Sequence, residues 1–167
     1  MLSKITESSR DTHGVPPVAS PLARFLGAWR EVGHSQASPF GPAAPISSVQ
    51  HFDFLAGGRV LVHRLTGRWG TTEIGCVEIT TEELPNHTFT TRSFYNNGAS
   101  RTWAGREISD GFLFNGQQVV DDTLFHIRYA QTFSAPDELR VRFEFSRDNV
   151  VYQPFWESLL THAHPAS

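Results

Sequence analysis

The chain has 167 residues, with 14 basic against 17 acidic side chains, a net charge of −3 and a single cysteine. That length is one domain, large enough to bury roughly 70% of its unfolded surface without a disulfide or metal. Lone Cys76 excludes an intramolecular disulfide framework and a multi-cysteine zinc site. Interspersed charge with no basic stripe argues against a nucleic-acid partner. No apolar run approaches the about 20 residues of a membrane-spanning helix, so no membrane partner is expected.

Residues 1–20 are polar, with Gly14 and Pro16-Pro17, and are expected to form a flexible arm ahead of a domain over 21–167. They hold Lys4, Glu7, Arg10 and Asp11 and no apolar core of a signal peptide, so a cytoplasmic protein is expected. Asn86-His87-Thr88 then has no meaning as a glycosylation site. Ser20-Pro21 reads as an N-cap with proline in the first turn, and Leu22, Phe25 and Leu26 give one short helix an apolar stripe before Gly27.

From Ala28 the period is two. Strands are predicted over 28–35, 48–55, 59–66, 71–81, 87–96, 100–108, 112–114, 123–133, 138–146 and 151–162. The punctuation between them is a proline-rich loop (Pro39, Gly41, Pro42, Pro45), Ala56-Gly57-Gly58, Gly67 to Gly70, a turn with Pro85, and Ala135-Pro136-Asp137. Asn96-Asn97-Gly98, Asp110-Gly111 and Asn115-Gly116 are hairpin dipeptides, the first expected as a type I′ turn. No crossover helix separates any two strands, so the sheet is antiparallel. Closing about ten sequential hairpins removes the edges, and an all-β closed antiparallel barrel with one short N-terminal helix is predicted. A two-sheet sandwich is the other arrangement this spacing allows.

Leu139, Val141, Phe143 and Phe145 alternate with Arg140, Arg142, Glu144 and Ser146, which fixes the inner face of that strand. Phe125, Ile127 and Tyr129 alternate in the same way. Parity stays open over 48–55, 59–66 and 151–162, where both faces carry apolar residues.

Phe25-Leu26-Gly27-Ala28-Trp29-Arg30, a Gly-x-Trp entering the first strand, resembles the signature of the lipocalin-like barrels, or calycins. Gly57-Gly58-Arg59-Val60-Leu61-Val62-His63, Arg92-Ser93-Phe94-Tyr95-Asn96-Asn97-Gly98 and Pro154-Phe155-Trp156 follow in an order similar to an uncharacterised bacterial family of that fold. The resemblance spans residues 21–162 and implies a lipocalin-like barrel with Trp29 at its closed end. Its relatives are carriers, heme-binding nitrobindin-like proteins, or cofactor-free cyclases and isomerases of natural-product pathways. The nitrobindin-like members place a heme-ligating histidine before a leucine on the final strand, where this chain has Ser158-Leu159, with His162 and His164 nearby.

No phosphate loop, zinc-protease motif or nucleophile elbow occurs, so no cofactor is expected. His51-Phe52-Asp53 puts an imidazole and a carboxylate on one strand face, a spacing suited to a general base or, more blandly, a solvated polar face. Glu31 shares its face with Trp29, and an enclosed carboxylate must be paired or retuned. Glu31, His51 and His63 are therefore the candidate acid–base groups. Trp29, Tyr95, Trp103, Tyr129 and Trp156 come from five strands and are the candidate ring-bracketing residues. Cys76, in a strand-like run, reads as an inert thiol. The expected partner is a small hydrophobic molecule, aromatic or polyketide-like, either bound or folded for a cofactor-free cyclisation or isomerisation. A homodimer stays open.

Overall fold

A computed structural model describes residues 20–83 and 86–163. All but Ser20 of the expected arm, together with Pro85, His164 and Pro165, lie outside the described residues. Ten strands follow one another: β1 (Gly27–Ser35), β2 (Ala44–Phe54), β3 (Val60–Trp69), β4 (Thr72–Glu83), β5 (Thr88–Tyr95), β6 (Ser100–Ile108), β7 (Gly111–Val120), β8 (Thr123–Ala135), β9 (Glu138–Ser146) and β10 (Gln153–His162). Each pairs antiparallel with its chain neighbours, and β1 closes on β10 from Trp29↔His162 to Ser35↔Trp156. The hairpin series thus ends in a closed barrel rather than a sandwich.

Two turns differ from the expectation. Asn115-Gly116 lies inside β7, because a side chain at Gly116 would come within 2.6 Å of the Trp103 ring on β6. The chain reverses instead at Asp121-Asp122, both at positive φ (47° and 60°), which joins Val120 to Thr123 as a two-residue turn. Two consecutive positive φ angles are what a type I′ hairpin needs, and Asp tolerates them better than most residues. At Asn96-Asn97-Gly98 only Gly98 has positive φ (84°), and Tyr95 accepts from the Gly98 N–H at 3.0 Å. That turn is a type I turn closed by a left-handed glycine, not type I′. The proline-rich loop is also shorter than predicted. Pro45 enters β2, near the strand start where a missing N–H costs least.

The open parities are resolved by register. Cross-strand partners share a face, and Phe52↔His63, His63↔Glu78, Glu78↔Ser93 and Tyr129↔Phe143↔Trp156 form continuous inward rows. Ser48, Gln50 and Phe52 point inward from β2; Leu61, His63 and Leu65 from β3; Trp156, Ser158 and Leu160 from β10.

One end of the barrel is sealed. Ser20 caps a 3₁₀ turn, Pro21–Phe25, by accepting from the Leu22 N–H. Leu22 and Phe25 from this turn are buried, whereas Leu26, expected on the same stripe, is 39% exposed. Phe25 packs on Phe52, Phe112 and Phe133 at centroid separations of 5.4, 5.1 and 5.2 Å. Trp29 is fully buried beside this plug, and its Nε1–H donates to the Phe25 carbonyl at 2.7 Å. So short a turn has little stability of its own and is held by packing.

Candidate functional site

Away from the plug the barrel encloses a cavity of about 490 Å³. This is within the ordinary range for small-molecule sites, about 300–1,000 Å³. It lies toward the β3–β4 and β5–β6 turns, with Trp69, Thr72, Asn96 and Asn97 near its mouth. Leu65, Ile127, Val141 and Phe143 form much of its apolar wall. Tyr129 stacks between Phe114 and Phe143, each at 4.7 Å, so its ring is immobilised. Trp156 leans on Phe143 at 5.8 Å and faces Trp69 at 6.0 Å.

Two polar nodes interrupt this wall. Glu31, on β1, is 3% exposed. Ser48 Oγ and Gln50 Nε2 donate to its Oε2 at 2.5 and 2.8 Å, and Ser158 Oγ donates to Oε1 at 2.6 Å. Three donors from two neighbouring strands converge on it, so the carboxyl group is occupied in fastening β1 to β2 and β10. Gly33 has no side chain to collide with Ser158 across the ladder, which lets that serine reach inward.

The second node spans β3 to β6. His63 Nδ1 lies 2.8 Å from Glu78 Oε2, Ser93 Oγ donates to Glu78 Oε1 at 2.6 Å, and Trp103 Nε1–H donates to Ser93 Oγ at 3.0 Å. Phe52 lies parallel to the His63 ring at 4.0 Å and 3°. Burial acts to raise the Glu78 carboxyl pKa. Hydrogen bonds from His63 and Ser93, with the positive charge of Arg101, act against it, and the group is held below its ordinary range. The same carboxylate acts on its neighbours. Burial, and then the Glu78 charge, push the Cys76 thiol up to about 12 and lift the Tyr95 and Tyr129 phenols above their usual value. Cys76 lines the cavity as a neutral thiol, poorly suited to nucleophilic attack.

Among the described residues, three buried polar atoms on cavity-lining side chains have no hydrogen-bond partner in the protein: His63 Nε2, Gln118 Oε1 and Trp156 Nε1. Native interiors rarely leave such atoms unpaired. Here they all belong to the wall of one enclosed space.

Glu31, His63, Tyr95, Tyr129 and Trp156 all line the cavity. His51 does not. The burial of Phe52 against Phe25 fixes the parity of β2 and turns His51 and Asp53 outward, where Asp53 faces Arg64 at 3.7 Å. Trp29 is corrected from a ligand contact to part of the sealed end. Trp103 is corrected likewise: only 1% exposed, it stands edge-on behind Tyr129 at 5.0 Å and does not reach the lumen. Glu78, Gln118 and Trp69 were not foreseen. Glu78 could have been found from His63, since a two-residue turn between Trp69 and Thr72 places the two directly opposite.

No family model matches the sequence, and no curated protein matches it. The fold does have solved counterparts. The barrel is similar to the crystal structure of Rv2717c from M. tuberculosis, with a TM-score of 0.65 and 13% identity, over 90% of this chain and all of that one. A redesigned beta barrel aligns at a TM-score of 0.47 and 11% identity, over 88% of this chain and 98% of that one. The first likeness shows a shared fold.

The heme arrangement of nitrobindin-like proteins does not fit these residues. Ser158 occupies the inward final-strand position and is bonded to Glu31, and His162 packs against Trp29 at the sealed end, with ring centroids 4.9 Å apart. Among the described residues no group of three histidine, cysteine or acidic side chains is placed to hold a metal ion, and no helix is long and apolar enough to cross a membrane.

Proposed function

We propose that this chain is a lipocalin-like binding barrel that holds a small, flat, apolar molecule, aromatic or polyketide-like, between Tyr129, Trp156 and the aliphatic wall. The observation that carries this reading is the cavity itself, whose aromatic and aliphatic wall is interrupted by polar groups, three of them with unpaired buried atoms. Such a lining gives affinity through burial, and a few convergent polar atoms give orientation. Naphthalene should bind one-to-one by titration calorimetry. Val141→Trp, which fills the wall from β9, should weaken it at least about tenfold while leaving the far-ultraviolet dichroism unchanged. Undiminished binding in that variant would place the probe outside the barrel.

A second reading, a cofactor-free isomerase or cyclase, is favoured by the His63–Glu78 pair. An imidazole backed by a carboxylate and open at Nε2 is built as a general base is. The cavity would fix the substrate's shape and His63 would take one proton.

A further inference from the structure

The chemistry of the ligand follows from the direction of the hydrogen bonds behind His63, granted the binding role proposed above. An indole N–H can only donate, so Ser93 Oγ accepts from Trp103. Ser93 spends its own hydrogen on Glu78 Oε1, and Glu78, held as a carboxylate, accepts at Oε2 as well. His63 therefore keeps a hydrogen on Nδ1, and as a neutral imidazole it presents a lone pair at Nε2. The ring cannot turn away from this role: it is 7% exposed and lies flat against Phe52 at 4.0 Å. Its Nε2 is buried and unpaired in the cavity wall.

We propose that His63, positioned by Glu78, accepts a hydrogen bond from a hydroxyl group on the bound ring, so that the ligand class is a phenol or enol rather than a plain hydrocarbon, ether or carboxylate. An ether or ketone oxygen offers Nε2 no hydrogen. A carboxylate would bring a second negative charge toward Glu78, and Glu31 lines the same cavity. Arg101, the lining cation, sits over the Tyr95 ring at 5.0 Å.

The test compares three probes of one ring system on the intact protein: naphthalene, 2-naphthol and 2-methoxynaphthalene. Satisfying one buried acceptor corresponds to about tenfold in affinity. The expected result is 2-naphthol binding about tenfold tighter than both other probes, with its absorption band shifted to the red. In His63→Phe the affinity ratio of 2-naphthol to 2-methoxynaphthalene falls to about one. In Glu78→Gln the amide can donate to Nδ1 and reverse the tautomer, so that ratio shrinks. Equal affinity of all three probes in the wild type overturns the inference but leaves the binding role standing, as does an advantage that survives in a folded His63→Phe. Failure of every probe to bind removes both. Should His63→Phe not fold, the contrast between 2-naphthol and 2-methoxynaphthalene on the wild type decides the matter alone.

Discussion

At the scale of single residues, two side chains of one type have opposite fates. Trp103 is buried behind the wall, bonded to Ser93 and packed on Tyr129, so Trp103→Ala should cost about 3–5 kcal/mol in urea unfolding. Trp156 lines the cavity with its indole N–H unpaired. Trp156→Phe should leave the unfolding midpoint nearly unchanged and weaken ring binding severalfold. Glu78 makes a different kind of contribution, one that depends on pH. Its folded pKa is below its ordinary value of 4.5, so its stabilisation is complete above that pH and is lost as pH falls through the folded value. Tyr95 and Tyr129 have folded pKa values above the ordinary 10.0, so their share is present below that pH and lost as pH rises. Urea midpoints measured from neutral pH down to about pH 3 should fall less steeply in Glu78→Gln than in the wild type. A parallel fall would show that the His63–Glu78 contact adds nothing to the acid limb.

At the scale of elements, glycines set where neighbouring strands can carry large rings. Gly116 faces the Trp103 ring and Gly105 faces Phe114, so bulky residues on one strand are met by absent side chains on the next. Gly116→Ala should destabilise by about 1–3 kcal/mol, read from the urea midpoint, because the ring is enclosed and cannot move aside. This pairing also explains the misplaced turn. Asn-Gly is the stronger local signal, but the tertiary demand at Trp103 outranks it, and two aspartates six residues on accept the positive φ angles. Strands with one-sided patterning, such as β9, were legible residue by residue. Those with apolar groups on both faces, β2, β3 and β10, were not, because their outward valines and leucines match the inward ones in hydropathy.

At the scale of the whole molecule, antiparallel closure was legible because hairpin signals recur without a crossover, and each strand's only available partners are its neighbours. The cavity lining was legible in part. Glu31, Tyr95 and Tyr129 were within reach of alternation, whereas His63 and Trp156 lie on strands whose parity the pattern leaves open, and the His63–Glu78 pair depends on a register set by the Gly70 turn. In the proposed function a flat apolar molecule enters the barrel rather than adhering to its surface. The four indole N–H resonances of the protein separate the two cases when naphthalene is added in a nitrogen-15 correlation experiment. Trp156 and Trp69, which line the cavity, should shift saturably with one ligand bound, while Trp29, bonded to Phe25 at the sealed end, should stay still. Unshifted Trp156 and Trp69 signals at saturating probe, or shifts that grow without limit, would contradict entry into the barrel.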